Sequence, residues 1–412
     1  MFRVIGSENF APFGKFQLEF PVVANKPENL GEVHLFTGVN GTGKTRILSI
    51  LCAMLGNGLH LQKRMKGADP SVITFSDAFS AAQRSPLHAA PNQIIWTAGH
   101  PTWLTRVPAF AYSGYAYVGD ATVSPMGPVQ KPGRDVCLSF YKPETTSQIL
   151  LQAITNLLFE AAVDSLNISN NPKTISRSAR LIKALESTVS QITNTEFHFK
   201  IEKFPQISLF VIWGETKLPF DVLPDGLRAI IGWLVHAIVM MDVWLQGAMD
   251  PLNTEAVFLL DEIESHLHPA WQRKILPAFQ SLFPHSQIFV ATHSPFVIAS
   301  LNHGWIHSLK AEAGKVKIEK PKAASQGDSY ISVVEEIMGV KEWFDPETEK
   351  LLSDFRSLRD QAYNINLPEQ ERAQLHARAR QLGVQIGNRS RELDFMMGKE
   401  LNQMERQLAK QP

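Results

Sequence analysis

Three short stretches of this chain carry residue types that handle phosphate and water. The first, Gly38-Val39-Asn40-Gly41-Thr42-Gly43-Lys44-Thr45, has P-loop spacing, with the apolar run "EVHLF" before it and "RILSILCAML" after it. Glycines let backbone N–H groups turn toward phosphate oxygens, and the N-terminus of the following helix adds a positive dipole. In such a loop Lys44 reaches the β- and γ-phosphates of ATP, and the Thr45 hydroxyl ligates Mg2+. The second stretch, "VFLLDE" at 257–262, is a continuous apolar strand ending in two acids. There Asp261 is the candidate Mg2+ ligand, and Glu262 the group that orients or deprotonates an attacking water. The third, Thr292-His293-Ser294-Pro295, closes the apolar run "QIFVA". A histidine at a strand end beside those acids can hydrogen-bond a γ-phosphate and so tell ATP from ADP. Adjacent acids and lone histidines are commonplace singly; their order behind a P-loop gives them weight.

These groups need strands to end where they stand. The sequence reads as α/β, alternating apolar strand-like runs with helical stretches. "NFAPFGKFQLEF" alternates like a strand pair, and "EFHFKIEKF" with "ISLFVIW" reads as a hairpin or meander. A polar helix is expected near 175–192, and another helix after Gly226. Residues 57–145 are broken by Gly, Pro and Ser, most plainly in "VSPMGPVQKPGRD", and read as an insertion. Trp271, Ile275, Phe279 and Leu282 form the packing stripe of a helix. Past residue 325, Asp345-Pro346 is a cap followed by a first-turn proline. From Pro368, apolar residues at 375, 379, 382, 386, 393, 397, 401, 404 and 408 resemble a coiled-coil seam, interrupted by Arg389 and weakened by Gly383, Gly387 and Gly398.

Composition excludes broad classes. Among 412 residues, 40 basic side chains balance 40 acidic ones, so no global field draws the protein to nucleic acid or membrane. Two cysteines, Cys52 and Cys137, give no disulfide framework and suit a reducing compartment. "MFRVIGSENF" has no signal-peptide pattern, and the apolar run Ala229–Met241 is too short to span a bilayer. The expectation is a cytoplasmic protein with no membrane partner.

Together, "GVNGTGKT", "FLLDEIESHLHPAWQ" and "FVATHSPFVI" resemble the ABC-type ATPase heads of the SMC, RecF and OLD-like group, over roughly residues 1–60 and 205–305. The resemblance implies an ABC-type P-loop NTPase head with an inserted second lobe, here followed by a C-terminal helical arm. It implies ATP and Mg2+ as cofactors, and a homodimer or higher even oligomer in which two heads sandwich two ATP molecules. Glu264 to His268 would form a turn facing the second subunit. "LPDGLR" matches the group's L-S-D-G-x-R signature at Leu223, Asp225, Gly226 and Arg228, and Pro224 departs from it. Asp225 and Gly226 are thereby implied in nucleotide binding across the dimer. The usual serine hydroxyl, which contacts phosphate on the opposite subunit, is missing, so ATP hydrolysis is expected to be weak or partner-dependent.

The chain is also similar to the ATPase subunits of Septu-type and retron-associated anti-phage systems, a comparison that "VVEEIMGVKEWFDPETEKLL" supports. That implies a sensor or regulator controlling a separate HNH-type nuclease. Residues 305–412 show no Asp-x-Asp as a Toprim nuclease needs, and no HNH-like cluster; His303 and His307 read as surface residues on a loop. The rivals are a RecF-like DNA-end-binding repair ATPase and an ATP-dependent scaffold with little turnover. The aromatics of "AFAYSGYAYVG" fit a hydrophobic insert better than a base-stacking site, Arg372, Arg378, Arg380, Arg389 and Arg391 fit a solvated face as well as a DNA contact, and Gln148 is a candidate Q-loop residue. The expected division is 1–60 with the P-loop, 61–250 as insert and second lobe, 251–325 with the acids and His293, and 326–412 as a partner-binding arm.

Overall fold

The computed structural model describes the chain except residues 11, 58–70, 78–84, 91–92, 97–106, 115–122, 125–126, 128, 130–132, 134–136, 139–142, 168–175, 203–206, 246–248, 313–314, 325–328, 341, 365 and 409–412. It forms two compact units, Met1–Met338 and Gly339–Pro412. The first unit runs β1 (Phe2–Phe10), β2 (Gly14–Glu19), β3 (Glu32–Gly38), α1 (Lys44–Met54), β4 (Ser71–Asp77), β5 (Ser85–Ala90), β6 (Gln93–Trp96) and β7 (Ala109–Ser113). Then come α2 (Pro143–Asn167), α3 (Arg177–Thr193), β8 (Phe197–Glu202), β9 (Ser208–Trp213), β10 (Thr216–Pro219) and α4 (Asp225–Leu245). It closes with β11 (Ala256–Asp261), α5 (Pro269–Leu282), β12 (Ser286–Ala291), α6 (Pro295–Ala299), β13 (Trp305–Glu312), β14 (Lys315–Ile318) and β15 (Lys322–Ala323).

A seven-stranded sheet of order β14-β13-β3-β12-β11-β7, with β15 paired to β13, carries the site. Its strands β13, β3, β12, β11 and β7, the last at the edge, are mutually parallel. Every residue of β11 and of β12 is buried, as strands covered on both faces must be. Alternation splits the side chains: Val257 and Leu259 join α1 and the N-terminal strands in one core, while Phe258 and Leu260 join α2 to α5 in the other. In the second core Phe258 packs edge-on to Phe279 at 4.9 Å and against Phe283 at 4.6 Å. Ile275 and Phe279 are buried and Trp271 and Leu282 pack at their margin, the stripe expected of α5. A second sheet, β2-β1-β4-β5-β6, draws strands from the stretch read as an insertion onto the N-terminal pair, and β8 to β10 form a three-stranded meander.

Two readings of the sequence change here. His307 is not on a surface loop; it is fully buried in β13, with Nε2 3.2 Å from His34 Nδ1, because β13 pairs with β3 and turns alternate side chains inward. The apolar helix α4 is 21 residues long rather than the shorter run read from sequence, and it is, among the described residues, the one helix long and apolar enough to cross a membrane. Most of its apolar stretch is buried within this unit, which makes it a core helix.

Within α4, His236 is buried with Nδ1 unpartnered, edge-on to the Tyr112 ring at 4.9 Å. Burial holds its pKa down at about 4, from an ordinary 6.5. The unfolded chain therefore takes up this proton first as pH falls. Stability is complete above about pH 6.5 and declines toward pH 4, by on the order of 3 kcal/mol from this group. His34 and His307, also pushed down by burial, act in the same direction. Urea unfolding between pH 7 and pH 4 is expected to show the decline, with a slope shallower by about one proton in His236→Leu; equal slopes would exclude the assignment.

The second unit holds α7 (Pro346–Ala362), α8 (Glu369–Gly387) and α9 (Arg391–Leu408). Asp345 caps α7, its Oδ1 accepting from the N–H groups of Glu347 and Thr348 at 3.1 Å, with proline in the first turn. The seam read from Pro368 onward is not one helix. The chain breaks at Asn388–Ser390, where the Ser390 hydroxyl accepts from Leu393 N–H and starts α9 afresh. Leu352, Phe355, Ala379, Ile386, Leu393, Met397 and Met404 then share a core of their own, and Arg389 pairs with Glu347 and Thr348 on α7.

Candidate functional site

The P-loop joins β3 to α1. Gly38, Gly41 and Gly43 have φ of 149°, 84° and 91°, backbone that L side chains rarely adopt. At Gly43 a Cβ would also stand 2.6 Å from the Phe13 ring. Thr42 is buried, its hydroxyl donating to Val39 O at 2.9 Å, while Val39, Asn40 and Gly41 are exposed at the crest. Lys44 is nearly buried as a residue and its Nζ donates to Gly38 O at 2.8 Å and Val39 O at 3.3 Å. Burial pulls its pKa down to about 8, against the opposing pull of Glu262, Asp261 and Glu264.

Thr45 Oγ1 donates to Asp261 Oδ1 at 3.0 Å, closing the P-loop onto the end of β11. A hydroxyl and a carboxylate side by side are hard oxygen donors. They fit Mg2+, which takes one or two protein oxygens and completes its shell with water and phosphate. Among the described residues no group of three or more His, Cys, Asp or Glu could hold a metal by itself, so a cation here would depend on the phosphates.

Glu262 follows in a left-handed turn, φ 52°. Its N–H donates to Ala291 O at 2.8 Å and its carbonyl accepts from Ser265 N–H at 3.0 Å. Gly114, just after β7, makes the turn possible: a Cβ there would stand 1.8 Å from Glu262 O. A non-glycine residue held at positive φ by its surroundings is a common mark of a functional position. His293 lies at the end of β12, half-buried, with its pKa lowered first by burial and then by the charge of Lys44, while Glu262 pulls the other way. Lys44, Asp261, Glu262 and His293 therefore share one electrostatic neighbourhood, with the imidazole neutral at pH 7.

The signature-like segment stands elsewhere. Gly226 is buried, and a Cβ on it would meet His266 O at 2.7 Å and the Trp271 ring at 3.3 Å. Pro224 O accepts from Arg228 N–H at 3.0 Å, capping α4, and Asp225 is exposed and paired with Arg228. His266 and His268 are exposed on the neighbouring turn. Glu264 on that turn points inward instead, to Thr292 and His293. Gln148 lies in α2, and its side chain falls outside the described residues, as do residues 115–119 of the aromatic stretch. Sequence reading missed Gly114, Phe13 and the inward turn of Glu264; a glycine directly after "AFAYS" was the available signal for the first.

Residues 138–299 match the family described as "AAA domain, putative AbiEii toxin, Type IV TA system". A retron Vc95 probable ATPase of Vibrio cholerae serotype O1 biovar El Tor is 27% identical over 165 residues, 40% of this chain and 32% of that protein. Septu protein PtuA of Bacillus thuringiensis is 23% identical over 177 residues, 41% of this chain and 44% of that protein. A retron Ec83 probable ATPase of Escherichia coli is 28% identical over 163 residues, 39% of this chain and 29% of that one. The chain thus matches less than half the length of each. Among solved structures, an SMC head bound to the C-terminal winged-helix domain of ScpA is similar at TM-score 0.44 and 13% identity, covering 78% of this chain and 97% of that one. With a P-loop between β3 and α1 of a parallel sheet, the chain has an α/β P-loop fold, and over about two-fifths of its length it resembles the ATPases of Septu and retron anti-phage systems.

Proposed function

We propose that the chain binds and hydrolyses ATP as a homodimer or higher even oligomer of heads, and that it acts as a sensor or regulator in anti-phage defence, controlling a separate nuclease effector of HNH type. The observation that carries the ATPase reading is the bond between Thr45 and Asp261, which sets an oxygen pair beside Lys44, Glu262 and His293. In this reading the P-loop N–H groups and Lys44 hold the phosphates. Mg2+, when bound by Thr45 and Asp261, neutralises phosphate charge. Glu262 orients water and accepts its proton, and neutral His293 offers a hydrogen bond to the γ-phosphate. Asp225 and Gly226 would face the nucleotide of a second subunit, with the N-terminal dipole of α4 behind them.

The test is co-purification of the tagged chain expressed with its flanking genes, in ATP, using Glu262→Gln to slow hydrolysis. A stoichiometric nuclease lost on removal of residues 339–412 supports the defence reading. A chain that brings down DNA and no protein sinks it in favour of the repair ATPase.

Pro224 favours a second reading, an ATP-bound scaffold with little turnover, since proline offers phosphate neither hydroxyl nor N–H. Pro224→Ser restores the hydroxyl at an exposed position. It is expected to raise kcat several-fold, by the roughly 1 kcal/mol of one added hydrogen bond. No gain, with turnover also indifferent to Glu262→Gln, would favour the scaffold.

A further inference from the structure

Two residues of "DEIESHLHPAWQ" have no part in the phosphate chemistry above, yet both point into the site's framework. Glu264 Oε1 accepts two hydrogen bonds from consecutive residues, one from the Thr292 hydroxyl at 2.6 Å and one from the His293 backbone N–H at 2.8 Å. Gln272, at the start of α5, holds the next residue: its Oε1 accepts from the Ser294 hydroxyl at 2.6 Å. The Gln272 amide in turn donates to Glu264 O at 3.3 Å and Leu267 O at 2.9 Å, locking one anchor to the other. Ser294 N–H donates to Thr292 Oγ1 at 2.9 Å and completes the weave. Three successive residues around His293 are thus tied to the segment that carries Glu262.

We propose that Glu264 is a positioning residue for His293, with Gln272 as its second anchor, so that the γ-phosphate-sensing imidazole and the water-orienting carboxylate move as one body. The inference rests on the ATPase reading above. The His293 ring makes no hydrogen bond among the described residues, so its placement is set through its backbone, and the backbone donor at that residue goes to Glu264. The chemistry of the anchor is also specific. One oxygen takes both donors, while Oε2 is enclosed without a partner. Burial pushes the carboxyl pKa up. What the site uses is therefore a neutral-compatible acceptor in a fixed place, and glutamine supplies the same acceptor.

The experiment compares Glu264→Ala, Glu264→Gln and Thr292→Val in the full chain with Mg2+ and ATP. It reads steady-state turnover and the imidazole nitrogen resonances of 15N-histidine-labelled protein, with His293 assigned by its loss in His293→Ala. Glu264→Ala is expected to lower kcat by about 10- to 100-fold, the scale of a small misplacement of a reacting group, with KM for ATP changed less than about threefold. The His293 resonance shift on adding nucleotide should disappear with it. Glu264→Gln should recover kcat to within about threefold and restore the shift. Thr292→Val, which keeps shape and removes one donor, should fall between them, and it carries the test if Glu264→Ala does not fold. Unchanged kcat in Glu264→Ala overturns the proposal. So does a Glu264→Gln variant as impaired as Glu264→Ala, which would assign the effect to charge, or a kcat loss with the His293 shift intact. If the wild-type chain turns over no ATP, the ATPase reading falls, and the His293 shift on nucleotide addition still decides the positioning role.

Discussion

Replacing Lys44 with alanine is expected to lower ATP turnover by about a thousandfold or more, with the fold retained. In the proposed reading the ammonium is the cation that the protein itself brings to the phosphates, among enclosed groups where a charge acts more strongly than in water. Its two carbonyl contacts within the loop fix where it stands. The loop does not need it for shape, since that comes from three glycine backbones and from the bond of Thr42 to Val39. Burial moreover disfavours the charged amine, so removing it should leave thermal stability of the nucleotide-free chain level or slightly raised. Binding of a fluorescent ATP analogue should weaken by at least about 100-fold, near 3 kcal/mol. Binding retained within tenfold would remove Lys44 from the site and the P-loop reading with it.

Glu262→Gln is expected to separate binding from chemistry. Glutamine can still lie beside water but cannot take its proton, and loss of a general base lowers rates by about 100- to 10,000-fold. The backbone turn should survive, because its φ of 52° is imposed by the Ala291 and Ser265 bonds and by the room Gly114 leaves, not by the carboxylate. ATP affinity should therefore hold while the ATP-bound state accumulates. Single-turnover quench and light scattering, run together, read both. Turnover equal to wild type would mean that Glu262 does not activate the water.

The chemistry-bearing stretches were legible because each has a period and a terminator. A glycine-spaced loop lies between a strand and a helix, and two apolar runs end abruptly in polar groups; these are local patterns. What escaped depends on partners remote in sequence. Nothing near Gly114 announces that a carbonyl from Glu262 will sit where its Cβ would be, nor that Phe13 will lie against Gly43. His307 follows "LNHGWI", whose polar and glycine residues read as loop until pairing with β3 turns alternate side chains inward. The apolar spacing through residues 375–408 is helical on both sides of Ser390, and periodicity alone cannot show that the chain reverses there. Resemblance implies that Glu264 to His268 form a turn facing a second subunit; His266 and His268 are exposed there, while the Glu264 carboxyl points inward to Thr292 and His293.

The bond between Thr45 and Asp261 spans 216 positions of chain. Closing so long a separation is slow relative to local structure. In the proposed reading, a nascent chain carrying the whole P-loop still lacks Asp261, Glu262 and His293 beside it until β12 has paired with β3 and β11 with β12. If the chain is the ATPase proposed, competence for nucleotide is a late event in the life of each molecule, and an immobilised-ATP resin is expected to retain finished chains in preference to stalled ones.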